Sequence, residues 1–139
     1  MISRKGEFIV GEYIRIELLT GRYGVARLAG GSRIPEWAAG EFTSITATPD
    51  EVSVTCPEAL IPEGTRSERG WRVLKLTGPL DFALVGILAR LSGILAEEKI
   101  SIFAISTFDT DYILVKDDNA SQAVKALMDN GFEVYERTS

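Results

Sequence analysis

Apolar and polar positions divide the chain into short alternating runs and two stretches of helical spacing. Tyr13-Ile14-Arg15-Ile16-Glu17-Leu18-Leu19 alternates and is rich in β-formers, which predicts a strand. Thr20-Gly21 reads as a turn, and Arg22 to Leu28 as a second strand placed to hairpin with the first. After Gly30-Gly31-Ser32, the segment Ile34 to Gly40 reads as a single helical turn, with Pro35 near its start and Gly40 able to end it. Thr43 to Thr48 and Glu51 to Cys56 make the clearest hairpin. Ile45, Ala47, Val52, Val54 and Cys56 fall on one face, Ser and Thr on the other, and Pro49-Asp50 supplies the turn. Pro57 to Gly64 leaves room for at most a short helix, and the polar Ser67-Glu68-Arg69-Gly70 reads as a linker.

The second half is more regular. Trp71 to Thr77 predicts a strand. Leu84, Ile87, Leu88, Leu91 and Leu95 recur at helical spacing, with Arg90, Glu97 and Glu98 on the outer face and Asp81 placed to cap. Lys99 to Thr107 and Tyr112 to Lys116 read as a hairpin around Asp109-Thr110-Asp111. Asp118 or Asn119 can cap a second helix containing Ala123, Val124, Leu127 and Met128, which Asn130-Gly131 ends before a last strand, Phe132 to Glu136. The order is β-α-β-β-α-β, a ferredoxin-like α+β unit with both helices on one face of the sheet. The first half repeats this order with its helices reduced to single turns, as expected of a degenerate internal duplication.

Composition narrows the function. With 139 residues, 45% apolar and 25% charged, the chain can bury a core. A net charge of −5, spread evenly along the chain, argues against a nucleic-acid partner. There is no histidine, which removes His-based triads and nearly all catalytic zinc sites. The one cysteine, Cys56, alternates with Val52 and Val54 as a small buried residue would, and implies no disulfide. No metal or cofactor motif appears. The longest apolar-rich stretch, Phe82 to Ala96, is short and interrupted by Arg90, so no membrane span is expected. The start of the chain lacks the apolar core of a signal peptide, and the expected location is cytoplasmic.

The chemistry of interest lies where Gly78-Pro79-Leu80-Asp81-Phe82 should meet the strand around Phe103 to Thr107. A turn that opens a helix offers free N–H groups to a carboxylate, and Gly78 lets the backbone come close. Strand carbonyls and the hydroxyls of Ser106 and Thr107 could hold an ammonium group. The same residues would also serve as an ordinary turn and strand. An acylphosphatase-like loop would need an arginine and a metal-carrying loop paired cysteines, and this one has neither. Asp109 and Asp111 suit a hairpin turn better than a cation site, since calcium takes six or more oxygens.

The stretch TGPLDFALVGILARLSGILAEEKISIFAISTFDTDYILVK resembles the ACT-domain family of small-molecule regulatory modules. It is most similar to tandem ACT proteins related to the regulatory end of aspartate kinase and to arginine-sensing ACT proteins. Val25-Ala26-Arg27-Leu28, Ile34-Pro35-Glu36-Trp37-Ala38, Phe42-Thr43-Ser44-Ile45-Thr46 and Gly70-Trp71-Arg72-Val73-Leu74-Lys75 extend the likeness. The resemblance implies two ACT units in tandem: a degenerate one over residues 1–67 and an ACT domain over residues 68–139. It implies an amino-acid ligand at the interface between units, a homo-oligomer formed through ACT sheets, and no catalytic activity or cofactor. Carried over, the loop positions are Gly78, Leu80, Asp81, Phe82 and Val85, and the strand positions are Phe103, Ala104, Ile105, Ser106 and Thr107. The alternatives are an oligomerisation module without a ligand, or a regulatory partner of an amino-acid biosynthetic enzyme.

Overall fold

The computed structural model describes residues 15–77 and 86–137. Eight strands and two helices follow in the order β1 (Arg15–Leu18), β2 (Tyr23–Ala29), β3 (Ser44–Ala47), β4 (Glu51–Pro57), β5 (Ser67–Thr77), α1 (Ile87–Glu97), β6 (Phe103–Ser106), β7 (Asp111–Lys116), α2 (Ala120–Asp129) and β8 (Glu133–Glu136). They form two compact units. The continuous unit is Gly21–Trp71; the split unit takes the described residues up to Thr20 and those from Arg72 onward.

In the continuous unit, β2 pairs antiparallel with both β4 and the start of β5, and β3 pairs antiparallel with β4. Counted within the unit, the strands lie in the order fourth, first, third, second, which is the ferredoxin-like arrangement. Alternation on β4 places Val52, Val54 and Cys56 in a core with Ala26 and Ile61, against which Trp37 and Ile45 pack. Burial pushes the Cys56 thiol above its ordinary range, so it behaves as an apolar side chain. A short 3-10 turn, Glu58–Leu60, stands where a second helix would be. The turn expected over Ile34 to Gly40 closes only one bond, Ala38 N–H to the Pro35 carbonyl at 3.1 Å, and no helix forms.

The polar run Ser67 to Gly70 is the beginning of β5, not a linker. Side chains hold it: the Arg69 guanidinium donates to the carbonyls of Glu58 (2.8 Å) and Ile61 (3.0 Å), and the Glu58 carboxylate accepts from Gly70 N–H at 2.8 Å. Gly70 has φ +83° where the β2–β5 register shifts, a bulge that an L side chain would resist.

The split unit repeats the plan with one addition. β5, β7 and β6 are neighbours as first, third and second strands, and β8 is the fourth, but β1 is inserted between β5 and β8. It runs antiparallel to β5 and parallel to β8, so the expected hairpin of β1 with β2 does not form. Ile16 and Leu18 join Leu74, Leu76, Ile113 and Val115 beneath Leu91 and Leu95 of α1 and Ala123 and Leu127 of α2. α1 begins behind Gly86, and α2 ends at Asn130-Gly131 as expected.

The two units also share a turn. Thr48 opens the β3–β4 turn by donating its N–H to the Glu51 carbonyl (2.9 Å), while its hydroxyl accepts from Glu51 N–H (3.1 Å). Thr107 does the same in the β6–β7 turn, with Thr110 as partner at 2.8 and 3.2 Å. Equivalent hairpins closed by the same chemistry agree with the duplication read from the element order.

On the sheet face away from the helices, Arg137 clamps Glu17 of β1 through bonds of 2.7 and 3.3 Å. The bond from Arg137, ahead of the charges of Arg137 and Lys75 and against the effect of burial, holds the Glu17 carboxyl below its ordinary 4.5. A depressed carboxyl stabilises the fold above its unfolded value and loses that contribution as pH falls through the folded one. Denaturation of the native chain is therefore expected to become easier as pH drops below 4.5. Glu17→Gln should flatten that part of the stability–pH curve; equal slopes for the two proteins would remove Glu17 as the cause.

Candidate functional site

β6 lies at the end of the split unit's sheet and, among the described strands, pairs with β7 alone. Its four residues are short of the predicted Lys99 to Thr107 because the chain turns out of α1 first. Lys99 takes φ +62°, and the N–H groups of Lys99 and Ile100 return to the Ala96 and Leu95 carbonyls.

The register sorts the strand residues by face. Phe103 opposes Leu114 and Ile105 opposes Tyr112, which puts both on the face away from the helices, half-buried. Ala104 opposes Ile113 and Ser106 opposes Asp111; Ile113 belongs to the core beneath the helices, so Ala104 and Ser106 share the helix side, and both are exposed. The Ser106 hydroxyl makes no hydrogen bond among the described residues, so its donor and its lone pairs are uncommitted there. Asp111, expected in the turn, is the first residue of β7 and sits across from Ser106.

Thr107 is different. Its hydroxyl donates to the Thr110 carbonyl at 3.0 Å and accepts from Thr110 N–H, so it is committed to the turn. A threonine three residues ahead of the turn's last residue, repeated at Thr48, was the signal for this in the sequence. Thr110 was not singled out there, yet it joins the two halves of the region. Its hydroxyl donates to the Leu76 carbonyl at 2.5 Å, one residue before the end of β5. The β6–β7 turn is thereby fixed beside the end of β5. Gly78, Leu80, Asp81, Phe82 and Val85 lie outside the described residues. Phe108, at the tip of the turn, is fully exposed.

Among the described residues, no group of three or more His, Cys, Asp or Glu side chains could hold a metal ion, and no helix is long and apolar enough to cross a membrane. A cleft of about 380 Å³ lies elsewhere in the split unit, beside α2, and includes none of Phe103 to Thr107.

Two ferredoxin-like units, with β6 at a sheet edge among the described strands, define an α+β protein. Residues 66–129 match the family model for the ACT domain, and residues 21–64 match a model for an N-terminal domain. The chain belongs to the ACT-domain family. A crystal structure of protein Atu0741 from Agobacterium tumefaciens is 36% identical, with a TM-score of 0.86 over 91% of this chain and 96% of that one. The human cytosolic arginine sensor for mTORC1 subunit 1 is 40% identical over 58 residues, 41% of this chain but 18% of the sensor, so the match spans under a fifth of that relative's length. Escherichia coli aspartokinase III, at 15% identity and a TM-score of 0.60 over 86% of this chain and 34% of that one, shares the fold.

Proposed function

We propose that this chain is a cytoplasmic, non-enzymatic amino-acid-binding regulatory protein. The ligand is held where residues 78–85 meet the second strand of a neighbouring ACT unit, which is β6 of a second chain or β3 of the same chain. The observation that carries the reading is the edge position of β6 among the described strands, with an exposed Ser106 hydroxyl that makes no bond to the described residues and the β6–β7 turn tied by Thr110 to the end of β5. The ACT match over residues 66–129 and the likeness to a protein named as an arginine sensor support it. The strand set is narrower than the sequence suggested: Ser106 is the hydroxyl offered to the ligand, and Thr107 shapes the turn. With no enzymatic domain in the proposal, the protein acts by shifting between conformations or partners when ligand binds. The side of β6 that pairs with no described strand also fits a second reading, an oligomerisation module that binds no ligand.

Thermal melting against each proteinogenic amino acid separates the two. A ligand at about 100 times its Kd stabilises by roughly 2.7 kcal/mol. Gly78→Val should lower the shift of at least one amino acid without changing the far-UV circular dichroism, and Ser106→Ala should weaken that shift too. If no amino acid moves the melting temperature, the oligomerisation reading takes over. If every shift is undiminished at Gly78→Val, the loop is not part of the site.

A further inference from the structure

The inserted strand leaves a second opening. Adding β1 widens the split unit's sheet by about 4.8 Å, while the helix layer still consists of α1 and α2 alone among the described residues. α2 packs toward α1, and a cleft of about 380 Å³ remains along its other side, over the ends of β1 and β8. That is within the usual range for small-molecule sites, about 300–1,000 Å³.

Its lining carries both signs of charge around an apolar strip. Leu18, Val124 and Met128 form the strip, and Met128 is 53% exposed, unusual for a large apolar side chain on an otherwise well-packed helix. Arg72 lies at one side. Its guanidinium is fixed by bonds to the Leu19 carbonyl (3.2 Å) and the Asp117 carboxylate (3.4 Å); Nε is buried without an acceptor among the described residues, so the donors left for the cleft are those of the two Nη atoms. A guanidinium has more donors than these two bonds use, and a held, planar one suits a carboxylate. The Ser121 hydroxyl, exposed and without a described bond, is on the same lining. The acids are unequal. Asp129 is neutralised by Lys125 at 2.9 Å, whereas Glu136 is exposed with no described partner.

We propose that this cleft is a second small-molecule site, separate from the loop–strand site, which takes an α-amino acid with an apolar side chain. Its carboxylate lies toward Arg72 and Ser121, its ammonium toward Glu136, and its side chain along Leu18, Val124 and Met128. The size of the cleft and the pairing of one uncommitted acid with one underused guanidinium favour such a zwitterion over a protein partner, which would need a broader apolar surface.

Met128 is a direct reporter, because the chain has only two methionines, Met1 and Met128. In the full chain labelled at the methionine methyl carbon, leucine, isoleucine, valine or methionine should shift the Met128 resonance saturably. Glu136→Gln, a change at an exposed position, should weaken that binding about tenfold or more. Arg72→Lys should weaken it similarly by losing the planar contact. The shift should persist in Gly78→Val, which removes only the loop–strand site. Absence of a shift with all four overturns the proposal, as does a shift that disappears in Gly78→Val or is indifferent to Glu136→Gln. A Met128 shift that follows protein concentration without added ligand assigns the cleft to a second copy and overturns it too.

Discussion

Leu95→Ala is expected to destabilise the split unit by about 3–5 kcal/mol. Leu95 is fully buried in α1, in the cluster where β1, β5 and β7 meet both helices, so its removal leaves a cavity bounded by several elements. Part of the cost is lost transfer free energy, roughly 25 cal/mol for each Å² of apolar surface. The rest reflects a rigid surround that does not collapse. Urea denaturation followed by far-UV circular dichroism measures it. A loss below about 1 kcal/mol would mean that the site relaxes and that α1 is less tightly seated than its burial indicates.

Gly30→Ala should cost the continuous unit about 2–3 kcal/mol. A Cβ on Gly30 would fall well inside the van der Waals contact distance of the Pro49 carbonyl oxygen and 2.8 Å from its carbon. The obstacle is backbone, so no side-chain rotation relieves it. The neighbour Gly31 is the control: an added Cβ meets nothing within 4 Å, and only φ +83° resists it, worth about 1–2 kcal/mol. Both tryptophans, Trp37 and Trp71, belong to the continuous unit, so fluorescence in denaturant reads these variants there. If Gly30→Ala were no worse than Gly31→Ala, the close approach of the β2–β3 connection to the β3–β4 turn would be wrong.

What was legible in the sequence was what local pattern specifies. The β3–β4 hairpin follows from alternation around Pro49-Asp50, and α2 from its apolar spacing and the Asn130-Gly131 stop. The start of β5 was not legible. Its residues are polar, and what makes them a strand is pairing with β2 together with the bonds among Arg69, Glu58 and Gly70, which connect positions far apart in the chain. The partners of β1 were hidden for the same reason: a parallel pairing with β8 leaves no trace in the residues beside β1. Ile34 to Gly40 misled in the other direction, since Pro35 and Gly40 are good helix ends with too little chain between them. At the candidate site, a strand ending near Ser106 was readable, but not where it begins. The commitment of the Thr107 hydroxyl is a local turn that Thr48 repeats, a signal the candidate set passed over, whereas the bridge from Thr110 to Leu76 depends on tertiary placement.

The insertion of β1 has a consequence for the order of assembly. During synthesis every strand of the continuous unit has emerged once Trp71 is made, and domains tend to fold as they appear. β1 precedes all of them, yet Arg15 waits for Thr77 on one side and for Glu133 on the other. β1, translated ahead of β2 to β8, is thus among the last of the described strands to be enclosed. Such a distant closure slows folding and leaves Ile16 and Leu18 uncovered on the nascent chain until β8 arrives.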